Sequence, residues 1–153
     1  MKKFIIILFF GFCLYLPAYE GDSEISLNLG ASTGTGFGYT YNLTDDFRIK
    51  LSTLPVYYTD STFIIASAIA LSLDIKKLND GISSVYLLVG GEYLLSKHNG
   101  EDGSVSIYSL GTGMRKFIDE NMFLELELGF AFFYTGDFLF NFVTGSVNFG
   151  YRF

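Results

Sequence analysis

The sequence predicts an all-β chain: an eight-stranded antiparallel up-and-down transmembrane β-barrel, preceded by an N-terminal signal peptide. Three observations carry that expectation. Apolar side chains recur with a period of two, as on strands whose successive side chains point to opposite faces. Short clusters of turn-forming residues interrupt the alternation at seven places. The two faces also differ in size: one is Leu, Ile, Val, Phe and Tyr, the other mainly Gly, Ser, Ala, Thr and Asn with charges.

The N-terminus reads as a secretory signal. Lys2 and Lys3 give the positive start, Phe4 to Leu16 an apolar run, and Pro17-Ala18 a break at which cleavage is expected. The run is shorter than the roughly 20 residues that span a bilayer as a helix. The expected division is therefore signal peptide at 1–18 and one barrel domain at 19–153. Removing the signal takes Lys2, Lys3 and Cys13 with it and leaves eight basic against 16 acidic residues, a net charge of −8. Such a chain has no thiol or disulfide chemistry. Its acidity argues against nucleic acid, which needs a concentrated basic surface. Phe10-Gly11-Phe12 is too bulky for Cys13 to be a lipidation site. Pro55 becomes the single proline, as suits a chain that is almost all strand.

The alternation places strands at about 24–32, 35–43, 46–58, 61–77, 83–97, 103–117, 121–134 and 138–153. The clearest is the seventh, in which Leu124, Leu126, Leu128, Phe130 and Phe132 share one face and Glu125, Glu127, Gly129 and Ala131 the other. Ile25, Leu27 and Leu29 alternate with Ser26, Asn28 and Gly30 in the first, and Phe37, Tyr39 and Tyr41 with Gly38, Thr40 and Asn42 in the second. The sixth is the least regular and is required mainly by its neighbours. Phe63 to Leu73 is nearly all apolar, but its Ala and Ser on one face fit a strand with a crowded interior. All seven connections are short, which forces antiparallel neighbours, since parallel pairing needs a crossover of a dozen or more residues.

A meander of eight strands leaves an interior only just wide enough for side chains. The bulky set would overfill it, whereas Gly, Ser and Ala fit. The bulky apolar face must then look outward, and lipid makes that tolerable. Strand lengths suit a span of about 9–11 tilted residues. Tyr57, Tyr58, Phe63, Tyr93, Tyr134 and Phe138 are expected at one rim, and Tyr41, Phe47, Tyr151 and Phe153 at the other, as two aromatic girdles.

Val147-Asn148-Phe149-Gly150-Tyr151-Arg152-Phe153 resembles the closing strand of bacterial outer-membrane barrels, which end in alternating aromatics. The resemblance implies that Phe149, Tyr151 and Phe153 form a signal read by the outer-membrane assembly machinery. Two further stretches, Gly36 to Phe47 and Leu110 to Asn121, resemble the small OmpA/OmpX-type and opacity-type barrels, in which Asn-Leu-Thr-Asp or Ile-Asp-Glu-Asn marks a periplasmic turn. That implies both ends of the barrel domain in the periplasm, a lipid bilayer as partner and residence in the bacterial outer membrane. Adhesive members carry long outer loops; here the longest, about Lys97 to Gly103, is short.

The candidate chemistry is a charged interior. Arg48, Lys50, Arg115 and Arg152, with Lys76, share the inner face with Asp74, Glu92, Glu125 and Glu127. Buried charges persist when paired, and pairs are expected between neighbouring strands, Glu92 with Arg115 and Arg115 with Glu125 or Glu127. Such a network plugs the lumen; the alternative is a narrow pore for small solutes. Some small barrels are lipid-modifying enzymes with a serine and a histidine near the outer rim. The single histidine, His98, lies in a polar loop beside Ser96 and Ser104, and nothing in the spacing enforces a pair. It reads as a solvated loop residue. No catalytic residue, cofactor or metal is expected, and the loop acids lack an EF-hand spacing.

Overall fold

In the computed structural model, residues 23–30, 32–59, 62–78, 82–98, 101–135 and 139–153 are described, and within these the side chains of 55–59, 62, 63, 98, 101, 139 and 140 are not. The expected signal peptide at 1–18, with Cys13, lies outside the described residues. So do the side chains of Tyr57, Tyr58, Phe63, Phe138 and His98.

The described residues form eight strands: β1 Ser23–Gly30, β2 Gly36–Asn42, β3 Phe47–Thr59, β4 Thr62–Lys77, β5 Ser83–His98, β6 Glu101–Phe117, β7 Met122–Tyr134 and β8 Leu139–Arg152. Each pairs antiparallel with the next, and β1 pairs with β8 to close the barrel. Closure runs from Glu24 opposite Arg152 to Gly30 opposite Ser146. We call the end carrying Ser23 and Arg152 the lower end and the other the upper end.

The alternation resolves into an inner and an outer face. Ile25, Leu27, Leu29, Leu87, Val89, Leu110, Leu126, Leu128, Phe130, Val143, Val147, Phe149, Tyr151 and Phe153 are exposed on the outer wall, with Leu128 67% exposed. Glu24, Asn28, Glu125 and Asn148 on the inner face are at most 1% exposed. Tyr39 lies opposite Ile25 but is buried, its hydroxyl 2.9 Å from the Ser23 hydroxyl. Of the expected girdles, Tyr93 and Tyr134 toward the upper end and Tyr41, Tyr151 and Phe153 toward the lower are exposed.

The bore holds more than small residues, which corrects the sequence expectation. Tyr86, Leu88, Ile107 and Phe123 are all buried at 3% exposure or less. Glycine makes the room: a Cβ at Gly113 would lie 2.4 Å from Tyr86 Cζ, and one at Gly150 2.2 Å from Phe123 Cζ. Large side chains are admitted where the facing strand has none.

Lys76 is a second correction. The pairing of β4 with β5 shifts between Asp74 and Lys76, so Asp74 still faces Tyr86 but Lys76 faces Val85. A bulge of this kind re-aims the following side chain, and Lys76 is exposed outside the bore.

At the lower end the β6–β7 turn is fastened by Asp119, whose Oδ1 accepts the backbone N–H of Met122 at 2.6 Å and of Asn121 at 2.8 Å. Those donors favour the charged form and hold the Asp119 carboxyl below its ordinary range. For a group whose folded pKa is depressed, the stabilising contribution is present above the unfolded pKa, about 3.9, and is lost as pH falls through the lower folded one. Asp119→Ala is therefore expected to lower the urea midpoint at pH 7, and the difference from the unsubstituted chain is expected to vanish at pH 2. Equal differences at both pH values would show that the carboxylate is not responsible.

Candidate functional site in the bore

The inner face brings charged side chains from six strands into one stack. Lowest is Arg152, half-buried, with its Nη2 3.0 Å from Glu24 Oε1 and its guanidinium over Phe117 at 4.4 Å. Above it Arg115 spans the bore. Its Nη1 and Nη2 meet the two oxygens of Glu24 at 2.7 and 2.8 Å, and its Nη2 also meets Glu125 Oε1 at 2.6 Å. A planar guanidinium is suited to such a two-pronged carboxylate contact. The Phe123 ring packs against it at 4.3 Å, and Phe117 meets Phe123 edge to face.

Lys50 reaches from β3 across to β7, with Nζ 2.7 Å from Glu125 Oε2 and 3.9 Å from Glu127 Oε1. Arg48 pairs with Asp74 at 2.6 Å and lies 4.8 Å over the Tyr86 ring. The Tyr86 hydroxyl donates to Glu127 Oε1 at 2.9 Å, and Asn148 Nδ2 to the same oxygen at 3.0 Å. Glu127 Oε2 accepts from Thr33 Oγ1 at 2.9 Å and from the Ser146 hydroxyl. Glu24, Glu125 and Glu127 thus each have several donors, and Asp74 has the Arg48 guanidinium, the condition under which a buried charge is tolerated.

The upper bound of this stack is the β1–β2 connection, a feature the sequence did not suggest. Ser32, Thr33 and Gly34 are buried inside the barrel. The Thr33 carbonyl accepts from Ser52 Oγ on β3 at 3.0 Å, and the Ser32 carbonyl from Ser109 Oγ on β6. Thr33 Oγ1 reaches Glu127 on β7. The inward fold needs Gly34 at φ +85°, where its missing Cβ would lie 2.4 Å from Ala68 Cβ on β4. A short loop is therefore held from opposite sides of the bore.

Of the expected site residues, Arg48, Lys50, Asp74, Arg115, Glu125, Glu127 and Arg152 lie in this stack, and Glu92 does not. Glu92 is opposite Ile107, eight residues along β6 from Arg115, which at about 3.3 Å per residue separates them by roughly 26 Å. Being on adjacent strands did not bring them level. Among the described residues Glu92 makes no ion pair; its Oε1 accepts the Thr35 N–H at 3.4 Å, from above the loop. Arg115 pairs with Glu125 but not with Glu127, which the bore-spanning Lys50 approaches instead. Glu24, absent from the expected set, is central: two arginines share it. Its signal was present, since Ile25 and Leu27 on the outer face put Glu24 on the inner one.

The terminal Phe149, Tyr151 and Phe153 lie on the outer face of β8 or just beyond it, and the Tyr151 hydroxyl accepts from Asn121 Nδ2 at 2.9 Å. His98 ends β5, with its backbone opposite Thr62 and Glu101.

No protein-family model and no curated protein matches the sequence. Among solved structures, the chain is similar to the N-terminal β-barrel domain of Pseudomonas aeruginosa OprF, known from a crystal structure. The two share 16% sequence identity with a TM-score of 0.60, over 88% of this chain and 98% of that one. With eight antiparallel strands closed between β1 and β8, the chain has the fold of the small OmpA-type outer-membrane barrels.

Proposed function

We propose that the protein is an integral outer-membrane barrel with a structural or surface-interaction role and no catalysis, its bore sealed against solutes. The observation that carries this reading is the double closure of the interior. The Arg115–Glu24–Glu125–Lys50 cluster fills the lower half, and residues 32–34 are bonded across it above. The outward Leu, Ile, Val and Phe support a lipid-facing wall, since so much exposed apolar surface is tolerable only in a bilayer. On this reading the lower end is periplasmic, and Phe149, Tyr151 and Phe153 serve as the assembly signal.

Single-channel recording in planar bilayers tests it. The protein is expected to insert without steady openings. Steady openings abolished or altered by Arg115→Ala or Glu92→Ala would favour a narrow pore instead. A lipid-modifying role through His98 would require His98→Ala to change the lipid profile of the cell; no change is expected. Recovery in the outer-membrane fraction with heat-modifiable gel mobility is expected as well.

A further inference from the structure

The wall of the barrel is not equally high all round. β1 has 8 residues and β2 has 7, against 13 to 17 in β3–β8. Pairing of β2 with β3 stops at Thr53, and pairing of β1 with β8 stops at Ser146. Above those points Leu54–Thr59 of β3 and Leu139–Gly145 of β8 have, among the described residues, a ladder partner on one side only. The two bare edges flank a notch whose sill is the inward-folded residues 32–35. Pro55 lies on this one-sided stretch, where a missing N–H disturbs no second ladder.

The notch opens at the level of lipid. Eight residues at about 3.3 Å each, tilted by about 40°, rise about 20 Å, short of the apolar band of about 25 Å. The outward residues nearest the sill, Leu29, Phe37 and Val147, are apolar and exposed, as is Val143 on the strand beside the gap. A bare strand edge facing lipid costs several kcal/mol per unsatisfied group, and is tolerated where it lines a cavity.

The interior behind the notch differs from the lower bore. The inner face above the sill carries Leu54, Ile64, Leu94, Ile107, Phe133 and Phe142, placed there by pairing with Ala66, Ser96, Ala66, Glu92, Ile107 and Ala131 respectively. All but Ile107 are partly exposed, and Phe142, packed at a tilt against Phe133 at 4.7 Å, is 41% exposed. The floor is blind, formed by Thr33, Gly34 and Glu92. Glu92 there disfavours an anion at the bottom, so a ligand enters with its apolar end first.

We propose that this upper chamber receives one acyl chain of a membrane lipid, which passes sideways between β3 and β8 while its headgroup stays at the leaflet surface. The proposal goes beyond the sealed-bore reading and uses the loop only as a floor.

Photolabelling tests it. The purified protein is reconstituted in phosphatidylcholine vesicles whose lipid carries a diazirine in one acyl chain, irradiated, and mapped by peptide mass spectrometry. Label is expected on the inward Leu54, Phe133 or Phe142 as well as on outward residues, and Ile107→Glu is expected to remove the inward label while leaving the outward label. A second arm supplies a diazirine fatty acid from water. Label confined to outward residues, or inward label from the fatty acid alone, would overturn lateral access. Label on Tyr86 and Phe123 too would overturn the blind floor, and only that outcome also counts against the sealed bore.

Discussion

Arg115→Met is expected to destabilise the barrel by about 3–5 kcal/mol, the usual cost of removing one partner from a buried ion pair. Arg115 is 2% exposed and faces two carboxylates, Glu24 and Glu125, that are themselves buried. Without the guanidinium these two share the lower bore with Lys50, Arg152 and the Asp74-paired Arg48. Methionine keeps much of the volume against Phe123, so the loss reports charge rather than a cavity. Arg115→Lys is expected to recover part of it, because an ammonium restores the charge but not the two-pronged contact with Glu24. Urea unfolding in lipid vesicles, followed by far-ultraviolet circular dichroism, measures both. A loss under about 1 kcal/mol for Arg115→Met, the size expected of a solvated pair, would mean that water reaches this layer.

Gly34→Val is expected to cost about 2–5 kcal/mol through two separate effects. At φ +85° a β-branched residue is strained, and its Cβ would also lie 2.4 Å from Ala68 Cβ, so the segment cannot stay where it is. Leaving the bore breaks the Thr33–Glu127, Ser52–Thr33 and Ser109–Ser32 bonds together. Faster exchange of the Thr35 amide, which donates to Glu92, is expected to accompany the loss. Unchanged stability with unchanged exchange would show that residues 32–35 are not seated against β4. Gly113→Val, which meets Tyr86 instead, serves as a comparison that disturbs the bore at a position with no direct contact to the loop, to which it is linked only through Glu127.

The wall was legible in the sequence because a strand facing lipid and a packed bore writes its environment at every second residue. β7 is the clearest case: Leu126, Leu128 and Phe130 are exposed, and Glu125, Glu127 and Ala131 buried. β6 shows why the pattern weakens. It is the longest strand at 17 residues, yet its own pattern is the least regular, because Gly111 and Gly113 carry no alternation. Gly113 is small to clear Tyr86, a reason that exists only once the barrel is closed.

The interior was legible in part. Period two identifies which charges face inward, and of the neighbour pairs expected from it Arg115 with Glu125 is formed, whereas Arg48 with Asp74 emerges only from the structure. The contacts of Lys50 with Glu125 and of Arg115 with Glu24 cross the bore between strands that are not neighbours. Their level is set by the stagger of the whole barrel, which no local pattern reveals. The inward loop was missed for a related reason: Ser32-Thr33-Gly34 reads as an ordinary turn, and β1 ends at Gly30 rather than near residue 32 because the chain turns into the bore.

A spin-label scan along 124–132, one introduced cysteine at a time in reconstituted bilayers, separates a lipid-facing wall and sealed bore from the alternatives. Lipid-soluble oxygen and a water-soluble nickel chelate serve as paired probes. High oxygen access is expected at 126, 128 and 130 and low access to both probes at 125, 127 and 131, as for a lipid-facing wall around a sealed interior. High nickel access at 125 and 127 would mean a water-filled bore, and high oxygen access at those positions would mean a wall turned inside out.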